Sequence, residues 1–336
     1  MIYGVTSNPS IFNNAIAKTN DYDRDLIPLL KQGKTSLEIF ENLAVKDIQA
    51  ACDLFADLYR STDGHDGFVS LEVAPTLAND TDGTCEEASR IWQLVDRPNL
   101  MVKIPATMAG IPAIKHSIAA GINVNVTLIF SQERYEKVMD AYLSGLELRA
   151  QANKSLDRVA SVASFFVSRM DSKVDKALEA IQSDGGNNAA KAGELMGKSA
   201  IANAKLAYQK FSSIFVGERF KKLQAKGGQI QRPLWASTST KNPAYPDTMY
   251  VDTLIGPHTV NTVPPQTLDA FNHHGEVAET IEKDLPHARQ VLASLEELGI
   301  SIANVTHELE EEGVSSFSTA FESLLTAIED RRTEAM

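Results

Sequence analysis

Ile122-Asn123-Val124-Asn125-Val126-Thr127-Leu128 alternates apolar and polar residues without a break. Successive side chains of a strand point to opposite faces, so Val124, Val126 and Leu128 share one face and Asn123, Asn125 and Thr127 the other. Moving outward, other short apolar or alternating runs recur: Ile2 to Thr6, Phe68 to Val73, Leu100 to Ile104, Val159 to Phe166, Pro233 to Ser237 and Thr259 to Val263. Longer segments with helical periodicity separate them. Strands alternating with helices imply parallel βαβ units, hence an α/β fold.

The helical segments are legible from their apolar spacing. Ser36 to Leu58 places Leu37, Phe40, Ala44, Ile48, Ala51, Phe55 and Leu58 three or four residues apart, and Gln132 to Leu148 does the same with Tyr135, Val138, Tyr142 and Leu146. Ser131 stands where an N-cap belongs. Residues 171–228 are too long for one crossover helix. Gly185-Gly186-Asn187-Asn188 marks a turn within them, so this stretch reads as an enlarged helical connection. Residues 265–336 read as a mostly helical C-terminal extension, with Phe317, Phe321, Leu324 and Leu325 forming an apolar stripe.

Other strands repeat the parity of the first. Val69, Leu71 and Val73 alternate with Ser70 and Glu72; Leu100, Val102 and Ile104 alternate with Met101 and Lys103; Thr6 and Asn8 share a parity. Strands of a parallel sheet covered on both sides are normally apolar on both faces. Here one face grows polar toward the C-terminal ends, which is where barrel enzymes build their active sites. The pattern favours a single barrel domain over residues 1–336 and an enzyme over a binding module. The length prior of about 150 residues per domain would suggest two domains, but α/β barrels run to roughly 250 residues before insertions.

Composition excludes several classes. A net charge of -12 argues against nucleic acid and anionic membranes as partners. No run approaches the roughly 20 apolar residues of a membrane span, and no secretory signal is evident, so a cytoplasmic protein is expected. Cys52 and Cys85 are too few for a disulfide framework and read as buried small hydrophobes. His273-His274 lacks a third ligand and reads as a solvated pair; no metal site is expected. Neither a dinucleotide fingerprint nor a P-loop is present.

The residue types on the polar face then suggest a chemistry. Lys103 lies in Leu100-Met101-Val102-Lys103-Ile104-Pro105, surroundings that disfavour an ammonium and leave more of the neutral amine that attacks a carbonyl. The alternative is a lysine that snorkels from the strand edge. Glu72 and Thr127, through a water, are candidates to move protons while a Schiff base forms. Asn8, Asn125 and Ser164 offer the fixed donors and acceptors that hold sugar hydroxyls. Arg169, Ser237 and Lys241 follow strand ends and are candidates for a phosphate, to which charge-assisted bonds contribute about 1.5–3 kcal/mol each. Individually, each of these residues is also read as an ordinary structural or surface group.

At these residues the chain resembles the transaldolases of the long bacterial type. Gly4-Val5-Thr6-Ser7-Asn8-Pro9-Ser10-Ile11-Phe12 resembles the family's early strand and turn. Ser70-Leu71-Glu72-Val73, Val102-Lys103-Ile104-Pro105-Ala106-Thr107 and Asn123-Val124-Asn125-Val126-Thr127-Leu128 resemble the segments bearing its acid/base glutamate, Schiff-base lysine and Asn/Thr pair. Ser161 to Arg169 and Arg232 to Pro243 resemble its substrate- and phosphate-binding segments. The order of six matches is specific where each alone is weak.

The resemblance implies a (β/α)8 TIM barrel with extra helices that needs no metal or organic cofactor. It implies that Lys103 captures sedoheptulose 7-phosphate, releases erythrose 4-phosphate and passes a dihydroxyacetone unit to glyceraldehyde 3-phosphate, giving fructose 6-phosphate in the non-oxidative pentose phosphate pathway. Glu72 and Thr127 would manage the catalytic water, Asn8, Asn125 and Ser164 the carbonyl-end hydroxyls, and Arg169, Ser237 and Lys241 the phosphate. Phe166 would line the pocket. Lys241 matches more loosely than the others.

One departure stands out. The family has a strand and helix before the Val-Thr-Ser-Asn-Pro motif, and that strand supplies a proton-relaying aspartate; here the motif opens the chain, and seven candidate strands are counted where closure needs eight. The expectation is that the first strand is absent from the sequence as given. Two other readings therefore stay open: a related class I aldolase, and a catalytically silent sugar-phosphate-binding barrel. The sequence does not decide the oligomeric state, a homodimer among the options.

Overall fold

The computed structural model describes residues 2–335. Seven strands form, each within two residues of its predicted bounds: β1 (Gly4–Thr6), β2 (Phe68–Glu72), β3 (Leu100–Pro105), β4 (Val124–Ile129), β5 (Ser161–Phe166), β6 (Arg232–Ala236) and β7 (Val260–Asn261). They belong to one sheet and follow one another in chain order. β1 with β2, β2 with β3, β5 with β6 and β6 with β7 pair in parallel. Consecutive parallel neighbours require a crossover each time, and helical segments supply it. The chain is thus an α/β protein with a seven-stranded parallel sheet. The eighth strand implied by the resemblance is not among the described residues.

Before β2 lie α1 (Pro9–Lys18), α2 (Asp23–Lys31) and α3 (Ser36–Ser61); α4 (Thr81–Val95) and α5 (Gly110–Ala120) flank β3; α6 (Gln132–Gln151) follows β4. Thr35 and Glu38 close a reciprocal capping box at the start of α3. Its buried face meets the predicted one at Ala44 and Ile48 and otherwise differs: Ile39, Leu43, Cys52 and Tyr59 are buried as well, whereas Leu37 is 51% exposed. The sequence offers apolar residues on more than one side of this long helix, and packing selects among them. In α6 the prediction holds: Ser131 Oγ accepts from the Arg134 amide at 3.0 Å, and Tyr135, Val138, Tyr142 and Leu146 are fully buried.

The enlarged connection between β5 and β6 contains α7 (Ser168–Ser183), α8 (Ala189–Leu195), α9 (Ser199–Phe215) and α10 (Glu218–Gln224). The predicted turn does separate the first two, with Gly185 at φ +66°. α7 begins at Ser168 rather than near Asp171, which places Arg169 in the first turn of a helix. After β6 come α11 (Met249–Thr253), α12 (Pro265–His274), α13 (Leu285–Glu297) and α14 (Ile302–Ala335). The stripe on α14 buries Phe317, Phe321 and Leu324, while Leu325 is only half-buried.

Two compact units can be distinguished. Among the described residues, the first comprises 2–125, 145–161 and 312–335. Part of its interior is an aromatic series in which Phe12 meets Phe40 edge-on, with centroids 5.5 Å apart, and Phe40 meets Phe321 at 5.4 Å. The second comprises residues 126–144 and 162–311. Tyr135, Phe165 and Trp235 pack there at centroid distances of 6.0 and 6.1 Å.

Cys52 is buried as expected, and burial pushes its thiol up to about 12. Cys85 departs from the expectation: it is half-buried, with Sγ 3.9 Å from His116 Nδ1. The small apolar footprint of a cysteine does not reveal whether a helix position lies at the core or at its margin. His273 and His274 are exposed, and His274 Nε2 meets Asp247 at 2.8 Å. Among the described residues, no helix is long and apolar enough to cross a membrane.

Candidate active site

In the first unit, the register of β2 on β3 sets Glu72 directly beside Lys103. Both side chains are almost wholly enclosed, at 7% exposure for Lys103 and 6% for Glu72, and Lys103 Nζ lies 3.2 Å from Glu72 Oε2. The same ammonium donates to the Ser7 carbonyl at 3.2 Å. The surroundings of Lys103 are therefore buried, as its apolar flanks suggested, but a carboxylate and a carbonyl face the nitrogen. It does not snorkel. Burial pushes the Glu72 carboxyl above the usual carboxylate range, and the positive charge of Lys103 opposes that rise.

Asn125, on β4, reaches across β3. Its Nδ2 donates to Ser70 Oγ at 3.0 Å, and both side chains are buried. Ser70 shares the polar face with Glu72, so Asn125, Ser70, Glu72 and Lys103 come from the interior positions that parity marked. Asn123 belongs to the same parity but is committed elsewhere. Its amide donates to the Pro98 and Leu100 carbonyls at 2.9 and 3.0 Å and accepts from the Ala160 amide at 2.9 Å. Its role is to tie neighbouring strands at the N-terminal end of β4. Asn8 caps α1, its Oδ1 accepting from the Ile11 amide at 2.8 Å. Ser7, Asn8 and Glu72 line a cavity of about 450 Å³ whose wall also includes Phe12, Phe40 and Phe321.

Two positions farther along β4 than Asn125, Thr127 shares its parity and is fully buried. Its Oγ1 meets no hydrogen-bond partner among the described residues. An unpaired buried hydroxyl costs roughly 1–3 kcal/mol. The next residue, Leu128, has φ +58°, a left-handed conformation uncommon for a branched residue. An unsatisfied group followed by a strained residue is the kind of local expense that gathers at functional sites.

In the second unit, β5 carries Ser164 opposite Leu234 and Phe166 opposite Ala236 of β6. Ser164 is buried. The Phe166 ring centroid lies 5.1 Å from that of Phe130 and 5.4 Å from the Arg169 guanidinium carbon. Ser237, just past β6, has φ +57°. Its carbonyl accepts from the Ser168 amide at 2.9 Å, and its Oγ lies 2.8 Å from Ser168 Oγ. Ser237 thus adjoins the first turn of α7, where Arg169 sits. Lys241 is different in setting: it is exposed, and its ammonium donates to Ser239 Oγ at 2.6 Å.

Two carboxylates of α7 hold the segment that follows β6. Asp171 accepts from Tyr250 Oη at 2.8 Å, from Ser199 Oγ at 2.6 Å and from the Ala200 amide at 2.8 Å. Asp175 accepts from Tyr245 Oη at 2.7 Å and from the Gly197 amide at 2.9 Å. Burial pushes both carboxyls upward, against the lowering effect of these donors.

Sequence reasoning assigned no role to Phe317, whose ring centroid lies 5.4 Å from Lys103 Nζ. As one member of an apolar stripe more than 200 residues away, it carried no signal that would separate it from core packing. Ser70 and Ser168 were also passed over. Ser70 had the right parity, and Ser168 the right neighbour.

A parallel sheet with a lysine and a carboxylate enclosed side by side on its polar face defines an α/β enzyme. The family model for transaldolase/fructose-6-phosphate aldolase matches residues 1–328. A transaldolase of Saccharopolyspora erythraea is 48% identical over 335 residues, covering 99% of this chain and 89% of that protein. Transaldolase 1 of Streptomyces avermitilis is 49% identical over 97% of this chain and 85% of its own length. A transaldolase of Trichodesmium erythraeum is 47% identical over 98% and 88%. The chain belongs to the transaldolase/fructose-6-phosphate aldolase family.

Proposed function

We infer that the chain is a transaldolase acting through a Schiff base on Lys103. The observation that carries the reading is the enclosed Lys103–Glu72 pair at 3.2 Å, on strands in register. A lysine so held approaches its substrate from a fixed position, with a proton donor and acceptor alongside. The Glu72 carboxyl, raised by burial, suits a group that gives and takes protons as the carbinolamine forms and dehydrates.

The substrates are sugar phosphates. Lys103 bonds to the ketone carbon of sedoheptulose 7-phosphate, erythrose 4-phosphate departs, and the dihydroxyacetone unit passes to glyceraldehyde 3-phosphate to give fructose 6-phosphate. Thr127, with its unpaired hydroxyl, supports the role of seating the catalytic water. Asn125 and Ser164 are buried amide and hydroxyl groups suited to the sugar hydroxyls near the carbonyl, and Asn8 retains its Nδ2 group for the same task while Oδ1 caps α1. Arg169 at a helix N-terminus and Ser237 beside it suit the phosphate. Lys241 supplies a further positive charge from the exposed part of the same loop. Phe166 forms an apolar wall. Seven strands in chain order with intervening helices support the (β/α)8 architecture of the family.

The family description also names fructose-6-phosphate aldolase, so the test must separate transfer from release. Enzyme incubated with fructose 6-phosphate and borohydride should acquire a reduced adduct on the peptide containing Lys103. With erythrose 4-phosphate added in place of borohydride, sedoheptulose 7-phosphate should form. Free dihydroxyacetone as the main product would assign an aldolase, and an unmodified Lys103 would overturn the mechanism.

A further inference from the structure

Three groups face the nitrogen of Lys103: Glu72 Oε2 and the Ser7 carbonyl, each at 3.2 Å, and the ring of Phe317, with its centroid at 5.4 Å. The first two act through the protons on nitrogen. The ring acts on its charge. A cation within about 6 Å of a phenyl face is attracted by the ring quadrupole, more strongly where solvent is excluded. Phe317 is 4% exposed.

Its placement is also well supported. One turn farther along α14, Phe321 packs edge-on against Phe40, and Leu324 and Ile328 continue the buried stripe without exposure. α14 therefore fixes the ring from a long element anchored in the same unit.

We propose that Phe317 is a further residue of the reaction, stabilising the positive charge that Lys103 carries as a protonated Schiff base. This rests on the Schiff-base reading above. In that step the neutral amine forms an Nζ–C2 bond to the ketose. The carbonyl oxygen takes one proton from Nζ and one from an acid, breaks its bond to C2 and leaves as water. Nζ keeps one proton, and the C2=N unit carries one positive charge. When the C3–C4 bond breaks, its electron pair forms C2=C3, the C2=N pair settles on the nitrogen and neutralises it, and the C4 hydroxyl becomes the aldehyde by giving its proton to the conjugate base of the acid used in the dehydration. Addition to the acceptor restores the iminium. The ring favours the charged species over the neutral carbinolamine and enamine, and it does so after most of the protons that served Glu72 and Ser7 are gone.

The test uses the full chain with Phe317 replaced by phenylalanine bearing one, two or three fluorines, which change shape little and weaken the negative face of the ring stepwise. Fructose 6-phosphate and borohydride are added, and the rate of adduct formation on Lys103 is read by peptide mass. The expected rate falls along the series, by about five- to thirtyfold at its end. Phe317→Tyr should keep most of the wild-type rate, and Phe317→Leu should behave like the trifluorinated protein. A flat series with unchanged thermal midpoints overturns the inference and leaves the Schiff base intact. No adduct on the unmodified enzyme overturns both.

Discussion

Glu72 Oε2 stands 3.2 Å from Lys103 Nζ, with each side chain enclosed and each supplied by a neighbouring strand of the sheet. Neither charge is cheap to keep there alone, since desolvating an ion costs several kcal/mol unless a partner offsets it. The pair is therefore both reagent and structural element, and its two members should respond differently to removal.

Replacing Lys103 with Met should abolish transfer and borohydride trapping together. It also removes the charge that opposes the upward shift of the Glu72 carboxyl. A carboxyl whose folded pKa lies above its unfolded value contributes stability that is fully present below the unfolded value. That contribution is lost as pH rises through the folded pKa. The thermal midpoint of Lys103→Met should thus fall further below wild type at pH 8 than at pH 5. An equal deficit at both values would mean that removing Lys103 leaves the Glu72 carboxyl where it stands in the wild type.

Glu72→Gln keeps an acceptor for the ammonium but cannot exchange a proton. A drop in kcat of roughly 10²- to 10⁴-fold is expected, with KM changing little, because the loss falls on proton transfer in the transition state. Measuring both constants with fructose 6-phosphate and erythrose 4-phosphate checks it. A rise in KM at unchanged kcat would make Glu72 a binding group.

Thr127 offers a sharper separation of stability from activity. Its hydroxyl is buried and unpaired among the described residues, so Thr127→Val exchanges a costly polar atom for a methyl group of similar size. The variant should melt at or above the wild-type temperature while kcat falls about ten- to a hundredfold. Thr127→Ser should retain most of the activity. A destabilised Val variant with full activity would assign the hydroxyl to structure.

How much of this could be read beforehand depends on whether the signal was local. Alternation in β4, in β2 and in β3 displayed its period of two within a few residues, and a parallel register then placed Glu72 beside Lys103. Ser131 announced the start of α6 in the same local way. Parity could not tell Asn125 from Asn123, because their partners lie on distant segments: Ser70 Oγ for the one, the Pro98 and Leu100 carbonyls for the other. The shifted face of α3, the half-buried Cys85 and the ring of Phe317 over Lys103 depend on contacts between distant segments, where several apolar choices look alike in sequence. The left-handed conformations of Leu128 and Ser237 were equally hidden, since neither residue is one that asks for positive φ.

Ser237 turns that hidden strain into a measurement. At φ +57° a serine pays a conformational penalty that glycine avoids. Ser237→Gly and Ser237→Ala both lose the contact with Ser168 Oγ, yet only Gly relieves the backbone. The Gly variant should therefore be about 1 kcal/mol more stable than the Ala variant. Both should show a raised KM for fructose 6-phosphate, and denaturant titration alongside steady-state kinetics would test the two claims separately.

Tyr250 bears on the same loop from its far side. Its hydroxyl donates to Asp171 Oδ2, and Asp171 on α7 also receives Ser199 Oγ and the Ala200 amide. Burial raises the Asp171 carboxyl and these donors counter the rise. Tyr250→Phe removes one of them, so the folded pKa moves further above the unfolded one. By the same sign, the stability associated with Asp171 is complete below the unfolded value and declines as pH increases through the folded one. The variant should lose roughly 1–3 kcal/mol, with the deficit growing from pH 5 to pH 8. In an Asp171→Asn background, where position 171 no longer titrates, the effect of Tyr250→Phe should lose most of its dependence on pH. If the loop held by Tyr250 positions the phosphate-binding residues, KM should rise for fructose 6-phosphate and not for unphosphorylated fructose. Equal rises for both sugars would confine Tyr250 to the stability of α7 and its neighbours.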